Sequence, residues 1–229
     1  MPYLEKNSLY FESGEKCMKP YGLNSDLRYK VEYQMVMLCI FLSALCNPMA
    51  NSLWKKLVEK CPFISEYVSR LDFTGILVSP LTMAVLYAVI KWLFKNFLWK
   101  NSILIRILGV PDLNGKWTGN LHSTFNGGKD VPMTLTIRQD WENMSCYCEF
   151  PDTSSISEAL VINLDISNPS RHKLMFKYQN QSYNSTETSL QPHIGYNDLT
   201  IEGDRIRGIY FTNRTPQTNG IIDLTLNNS

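Results

Sequence analysis

Beyond residue 113 the chain alternates between apolar and polar positions. Met133, Leu135 and Ile137 share one parity, and Thr134, Thr136 and Arg138 share the other. Leu160, Ile162, Leu164 and Ile166 oppose Val161, Asn163 and Asp165. Leu174, Phe176 and Tyr178 oppose Lys173, Met175 and Lys177, and Ile206, Gly208, Tyr210 and Thr212 oppose Arg205 and Arg207. A period of two sends successive side chains to opposite faces of a strand. Eight strands are predicted, at 114–124, 131–139, 142–150, 156–166, 172–180, 193–201, 204–213 and 219–227. Turn-forming runs separate them: Asn126-Gly127-Gly128, Pro151-Asp152, Asn168-Pro169 and Glu202-Gly203-Asp204. Each strand has one polar face, and no helix is left over to cover a sheet. The simplest closure is an all-β, eight-stranded up-and-down barrel of lipocalin-like type, with a β-sandwich as the alternative. The motif NGKWTGNL at 114–121 opens the first strand. Gly115 and Trp117 are its structural positions. A Trp on the inward face near the start of a barrel plugs one end with its apolar area, ligand contact being the lesser alternative.

The pattern before residue 111 is different. Residues 33–54 carry no charge, and their centre at 35–46 reads MVMLCIFLSALC, between Glu32 and Lys55. Residues 73–90, FTGILVSPLTMAVLYAVI, form a second uncharged run between Asp72 and Lys91. Each run at helical rise reaches across or close to a hydrocarbon core of about 30 Å, the second with help from Trp92, Leu93 and Phe94. Two transmembrane helices are expected, with a pair of buried helices in a soluble protein as the alternative. Pro48 and Asn51 weaken the second half of the first run, and Pro80 should kink the second. Trp92, Phe94, Phe97 and Trp99 interleave with Lys91, Lys95 and Lys100, as an aromatic belt at a membrane interface does. From Lys91 to Val110 the chain is expected to continue as an amphipathic helix on the inner membrane surface. Residues 1–30 are polar, with breakers at Gly14, Pro20 and Gly22, and show no signal-peptide pattern. The expected divisions are therefore an N-terminal extension at 1–30, a two-helix membrane region at 31–110 and a barrel at 111–229.

Charge adds an orientation. Residues 1–111 carry 13 Lys and Arg against 8 Asp and Glu, or +5, while residues 112–229 carry 9 against 13, or −4. The acidic half argues against DNA or RNA as a partner, which needs a positive face. Lys16, Lys19, Arg28 and Lys30 precede the first run, and Lys91, Lys95, Lys100 and Arg106 follow the second. The loop between holds Lys55, Lys56, Lys60 and Arg70. Eight basic residues against four place both termini and the barrel in the cytoplasm. The six cysteines, Cys17, Cys39, Cys46, Cys61, Cys146 and Cys148, show neither a disulfide framework nor zinc spacing. Cys146 and Cys148 share one strand face.

In an up-and-down barrel the connections after strands one, three, five and seven share the end away from the tether. Those at 125–130, 151–155, 181–192 and 214–218 are the longer set. That end is the expected mouth, and a barrel of this size holds one small ligand there. Carrying the inward parity to the mouth selects Tyr178, His193, Tyr210, Thr212, Arg214 and Thr218 as candidate ligand contacts. A guanidinium forks onto phosphate, and aromatic rings stack on bases. The plainer alternatives are core packing for the tyrosines and a solvated loop charge for Arg214. His122, His172 and His193 come from separate strand ends, and there is no Walker or Rossmann glycine pattern. No catalytic, metal or cofactor site is expected.

Two uncharged spans, a basic-aromatic connector, NGKWTGN, HIGYNDL and GIYFTNRTPQTNG together resemble the two-transmembrane β-barrel effectors of bacterial CBASS antiphage systems. The resemblance covers nearly the whole chain from about residue 31. It implies a barrel that receives a cyclic dinucleotide second messenger made by a partner nucleotidyltransferase (CD-NTase), a functional partner with which it implies no stable complex. It further implies ligand-induced self-assembly and disruption of inner-membrane lipid, which kills the infected cell. It points to Tyr210 and Arg214 in GIYFTNR and to His193 and Gly195 in HIG. The Gly-x-Trp opening is also similar to lipocalins, so a membrane-tethered carrier or scaffold for a small apolar ligand is the second function class. A carrier would show an apolar entrance, whereas Arg214 among hydroxyls suits phosphate. Neither span has an ionisable residue in its uncharged core, so one chain makes no pore and damage requires many copies. Gly75, Ser79 and Ala84 offer small faces for packing spans together.

Overall fold

The structure is a computed structural model that describes residues 18–23, 26–60, 74–124, 127–128, 130–151, 153–168, 170–182 and 193–227. Lys16, Cys17, Cys61, Arg70 and most of the connection at 181–192 lie outside them, as do the surroundings of Gly75 and Ser79. Contacts divide the chain into two compact units, one of residues 26–99 and the other holding the barrel with the described residues before Asp26.

The first unit is built from α1, Leu27–Lys60, and α2, Thr74–Asn96. Both hold segments long and apolar enough to cross a membrane: Leu27–Lys56, and Pro80–Lys100 through the turn that follows α2. Their apolar side chains point outward, Phe41, Leu45 and Met49 on α1 and Leu81, Val85 and Val89 on α2 being at least half exposed. A soluble core helix would bury such residues. Glu32, in the second turn of α1, accepts hydrogen bonds from Tyr87 Oη at 2.5 Å and Lys91 Nζ at 2.8 Å, both on α2. The start of α1 therefore lies beside the end of α2, and the helices run antiparallel with their charged ends together. A charge-assisted pair at a helix end satisfies two groups that an apolar medium would penalise.

The second unit opens with two short strands, β1 at Lys19–Pro20 and β2 at Gly22–Leu23. The expected amphipathic helix is broken. α2 ends at Asn96, a single 3-10 turn follows at Leu98–Lys100, and α3 covers Ser102–Leu108. Asn101 breaks the run because its side chain caps α3, accepting from Ile103 N at 3.0 Å, and Gly109 at φ +69° ends it. Ile103 and Ile107, one helical turn apart on α3, are about 70% exposed.

Eight longer strands follow: β3 Gly115–Ser123, β4 Asp130–Gln139, β5 Asn143–Glu149, β6 Thr153–Asp165, β7 His172–Ser182, β8 His193–Glu202, β9 Arg205–Thr212 and β10 Asn219–Asn227. Each pairs antiparallel with its neighbour in sequence, and β10 returns to β3, with Leu226 opposite Trp117 and Ile222 opposite Leu121. The ring runs β5-β4-β3-β10-β9-β8-β7-β6, an up-and-down barrel rather than a sandwich. It closes over only three residue pairs between β5 and β6, at Tyr147–Ile156, Cys148–Ser155 and Glu149–Ser154. Past these pairs the two strands part, and the β6–β7 ladder shifts register between Ser157 and Ile162. The N-terminal segment fills the opening, β1 pairing with Asn143 and Met144 of β5 and β2 running parallel to Asn163 and Leu164 of β6. Between them Tyr21 is 2% exposed and accepts from Gln139 Nε2 at 3.3 Å.

The 114–121 motif works at this tethered end. The Asn114 side chain bonds both main-chain groups of Gln139, extending the β3–β4 ladder by one rung. Gly115 has φ +142°, where a side chain would be strained and would meet Leu226. Trp117 is 2% exposed and donates Nε1–H to Leu113 O at 3.2 Å. Above it the interior is apolar: Leu135, Ile137, Cys146, Leu164, Leu174, Phe176, Leu199, Ile206 and Leu224 are all within about 1% of full burial. Trp117→Ala should destabilise the barrel by about 3–5 kcal/mol. Denaturant unfolding of the purified protein measures this; a loss under about 1 kcal/mol would show that Trp117 is not the plug.

Candidate functional site

At the other end of the barrel the inward positions turn polar. β7 and β9 run toward this mouth, and β8 and β10 run away from it. Tyr178 and Tyr210 are each 6% exposed, Thr212 4% and Thr218 7%. Strand pairing sets their heights. Tyr178 lies opposite Gly195, Gly195 opposite Thr212, and Tyr210 opposite Gly220.

Each tyrosine ring lies over its cross-strand glycine. A Cβ on Gly195 would sit 2.2 Å from Tyr178 Cζ, and one on Gly220 would sit 2.7 Å from Tyr210 Cε1. At Gly195 the ring alone occupies the space of the missing side chain, and at Gly220 the ring shares it with His122 O, 2.0 Å from such a Cβ. His193 packs edge-on against Tyr178, ring centres 6.4 Å apart. Tyr210 Oη hydrogen-bonds Ser123 Oγ at 2.5 Å. Thr212 Oγ1 and Thr218 Oγ1 are 2.7 Å apart, and Thr212 N donates to Thr218 O at 2.9 Å. These bonds tie the two ends of the 213–217 loop together, and Arg214 N donates to Thr212 Oγ1 at 3.4 Å within it.

Arg214 is half-buried, not a solvated loop charge. Burial lowers its pKa from the ordinary arginine value, while neighbouring Tyr178 and Tyr210 act in the opposite direction. A guanidinium stays protonated regardless. Burial raises the phenol pKa of Tyr178, with Cys148 and Tyr210 adding to it and Arg214 opposing. Burial also raises that of Tyr210, against its hydrogen bonds to Ser123 and Thr218. Both phenols are therefore neutral donors at physiological pH. One cation, two phenols and several hydroxyls form a donor set for an anion with a planar group beside it.

The structure brings together all six residues that parity selects. Gly115 and Trp117 sit at the opposite end. Parity also reaches Ser123, Thr153, Asn180 and Asn197, each less than 9% exposed and inward, which the sequence reading passed over. Their signal was the same alternation: Asn180 is two beyond Tyr178, and Asn197 two beyond Gly195. The three histidines stay apart: His122 pairs with Asp130 across β3 and β4 at 2.5 Å, His172 begins β7 and His193 begins β8. At the rim Lys177, Ile194, Tyr196, Phe211, Asn213 and Gln217, together with Gly195 and Thr212, line an open groove of about 480 Å³.

Gly195→Ala should cost about 1–3 kcal/mol, because the Tyr178 ring must swing aside. In a Tyr178→Ala background that penalty should vanish, since contacting residues couple. Unfolding free energies of the two single variants and the double variant measure it; an undiminished penalty in the double would show that the ring is not what the glycine accommodates.

Comparison with known proteins bears on this barrel directly. A protein from Yersinia aleksiciae, CD-NTase-associated protein 15, is 28% identical over 136 residues, which is 58% of this chain and 64% of that protein. The chain thus spans just under two thirds of that relative's length. A protein of the same name from Escherichia albertii is 26% identical over 201 residues, 76% of this chain and 97% of its own length. Residues 108–226, which take in every strand from β3 to β10 but the last residue, match the family described as Cap15, cyclic dinucleotide receptor domain. The chain, with two long apolar helices before a nearly closed eight-stranded barrel, belongs to the Cap15 cyclic dinucleotide receptor family.

Proposed function

We propose that the barrel mouth binds a cyclic dinucleotide and that the protein is an effector of CBASS antiphage defence. The observation that carries this is the half-buried Arg214 beside Tyr178 and Tyr210, inside a domain of a cyclic dinucleotide receptor family. Arg214 takes a phosphate through a forked pair of charge-assisted hydrogen bonds. Thr212, Thr218 and the tyrosine hydroxyls supply neutral donors, and Tyr178 with His193 supplies ring surface for a base. A carrier of apolar ligands fits less well, because the cation and hydroxyls stand where its entrance would be apolar. Nothing in this reading calls for catalysis.

The working parts are the membrane region at 31–110 and the ligand-binding barrel at 111–229. Both termini and the barrel lie in the cytoplasm, next to the inner membrane. The Glu32–Lys91 pair supports that arrangement, since it puts the chain before α1 and the chain after α2 on one side. A partner nucleotidyltransferase supplies the messenger. Ligand shifts the chain toward a self-assembled state only by binding that state more tightly. A nearly closed barrel leaves little strand edge to pair with another copy, so assembly uses side-chain faces or the loops around the mouth. Assembly concentrates the spans and disrupts the bilayer.

Arg214→Ala should weaken cyclic dinucleotide binding about 10- to 100-fold, the loss of a charge-assisted contact worth about 1.5–3 kcal/mol. Calorimetric titration reads the affinity and a melting curve confirms the fold; unchanged affinity would remove Arg214 from the site. Ligand should also raise the number of copies per spot in membranes, counted by single-molecule photobleaching. Full toxicity at an unchanged copy number would defeat the assembly step.

A further inference from the structure

Asn180 faces into the mouth from β7, two residues beyond Tyr178, and is 6% exposed. Across the sheet it lies opposite Ser155 of β6 on one side and His193 of β8 on the other. Its Nδ2 donates to Thr153 Oγ1 at 3.5 Å. Oδ1 is buried with no hydrogen-bond partner among the described residues. A buried carbonyl oxygen without a partner forfeits its bonds to water, and native structures keep few of them.

We propose that Asn180 Oδ1 is a base-reading acceptor: it takes an N–H from the edge of one base of the bound cyclic dinucleotide and selects bases that present a donor there. This rests on the ligand reading above. The chemistry of the ligand leaves it few ways to satisfy Oδ1. Phosphate oxygens are negatively charged acceptors and are repelled by a second acceptor. The exocyclic amines of adenine, guanine and cytosine, and the ring N–H of guanine and uracil, are donors. Tyr178 lies two residues back on the same strand and His193 directly across on β8, their rings edge to face, so one of them can offer its face to the same base. The mouth thus divides in two. Arg214 and the threonines form its phosphate side, and Asn180 with Thr153 forms its base side. A site that hydrogen-bonds a ligand N–H rejects an analogue lacking it, because the protein group is then buried unpaired.

The test uses the full-length protein in detergent, titrated calorimetrically with cyclic dinucleotides carrying each pairing of adenine, guanine, cytosine and uracil. For the tightest binder, analogues lacking one base-edge N–H donor, and a 2′-deoxy analogue, are titrated as well. One base-edge deletion should cost the native protein about 10-fold or more in affinity and cost Asn180→Leu less than about 3-fold. Thr153→Val, which removes the neighbouring hydroxyl, should narrow the preference among bases while the protein melts normally. Arg214→Ala should weaken all binders by a similar factor and keep their ranking. If Asn180→Leu keeps the native ranking, or is indifferent only to the 2′-deoxy change, the assignment is overturned. It is equally overturned if the native protein prefers bases that present an acceptor. If no cyclic dinucleotide binds the native protein, the ligand reading itself fails.

Discussion

Each strand of a closed sheet must find two hydrogen-bonded neighbours, and in this barrel one seam cannot be closed by its own two strands. β5 and β6 pair over three residue positions at the mouth and then part. Left open, the seam would expose backbone donors and acceptors and unseal the apolar interior. The chain solves this with five residues, Lys19–Leu23, that lie far upstream in sequence and belong with the barrel in space. Tyr21 is the centre of that patch. Its ring fills the gap, its main-chain N–H reaches Glu142 O at 3.4 Å, and its hydroxyl meets the Gln139 side chain. Gln139 in turn accepts from Leu113 N, and its main chain holds Asn114. The tethered end is thus one polar knot over a Trp plug.

A rigid lower end makes a specific upper end possible. The interior up to Phe176 and Ile222 is packed with apolar side chains, so the polar layer above it rests on a floor that does not yield. On that floor the heights of Tyr178, Tyr210, Thr212 and Asn180 follow from register alone. Two glycines let two tyrosine rings lean across the strands instead of standing in the mouth. Preorganised donors of this kind do not have to be gathered when a ligand arrives, which is the physical basis of tight recognition by a small site.

Much of this was legible in the sequence. All eight strands appear close to their expected ends, because period-two alternation is enforced wherever one face is buried and the other solvated. The six mouth residues come together because parity and chain direction are enough to place a residue in an up-and-down barrel. Three things were not legible. Residues 19–23 carry no alternation long enough to read as strand, and they pair with β5 and β6 where those two strands have parted. The connector after Lys91 reads as one continuous helix, yet the Asn101 cap and Gly109 make it a separate short one. Asn180 and Thr153 look like ordinary polar positions near loops until their burial is known.

The sequence by itself determined the elements, the two apolar helices, the inward parity of each strand and the polar character of one barrel end. These are properties of neighbours along the chain: period, length, charge and turn chemistry. Only the tertiary structure decided how the barrel closes, which residues share a height at the mouth, and which buried atom lacks a partner. Those depend on register between strands as distant in sequence as β1 and β5, and on the space each side chain leaves for the next, and no local pattern encodes either.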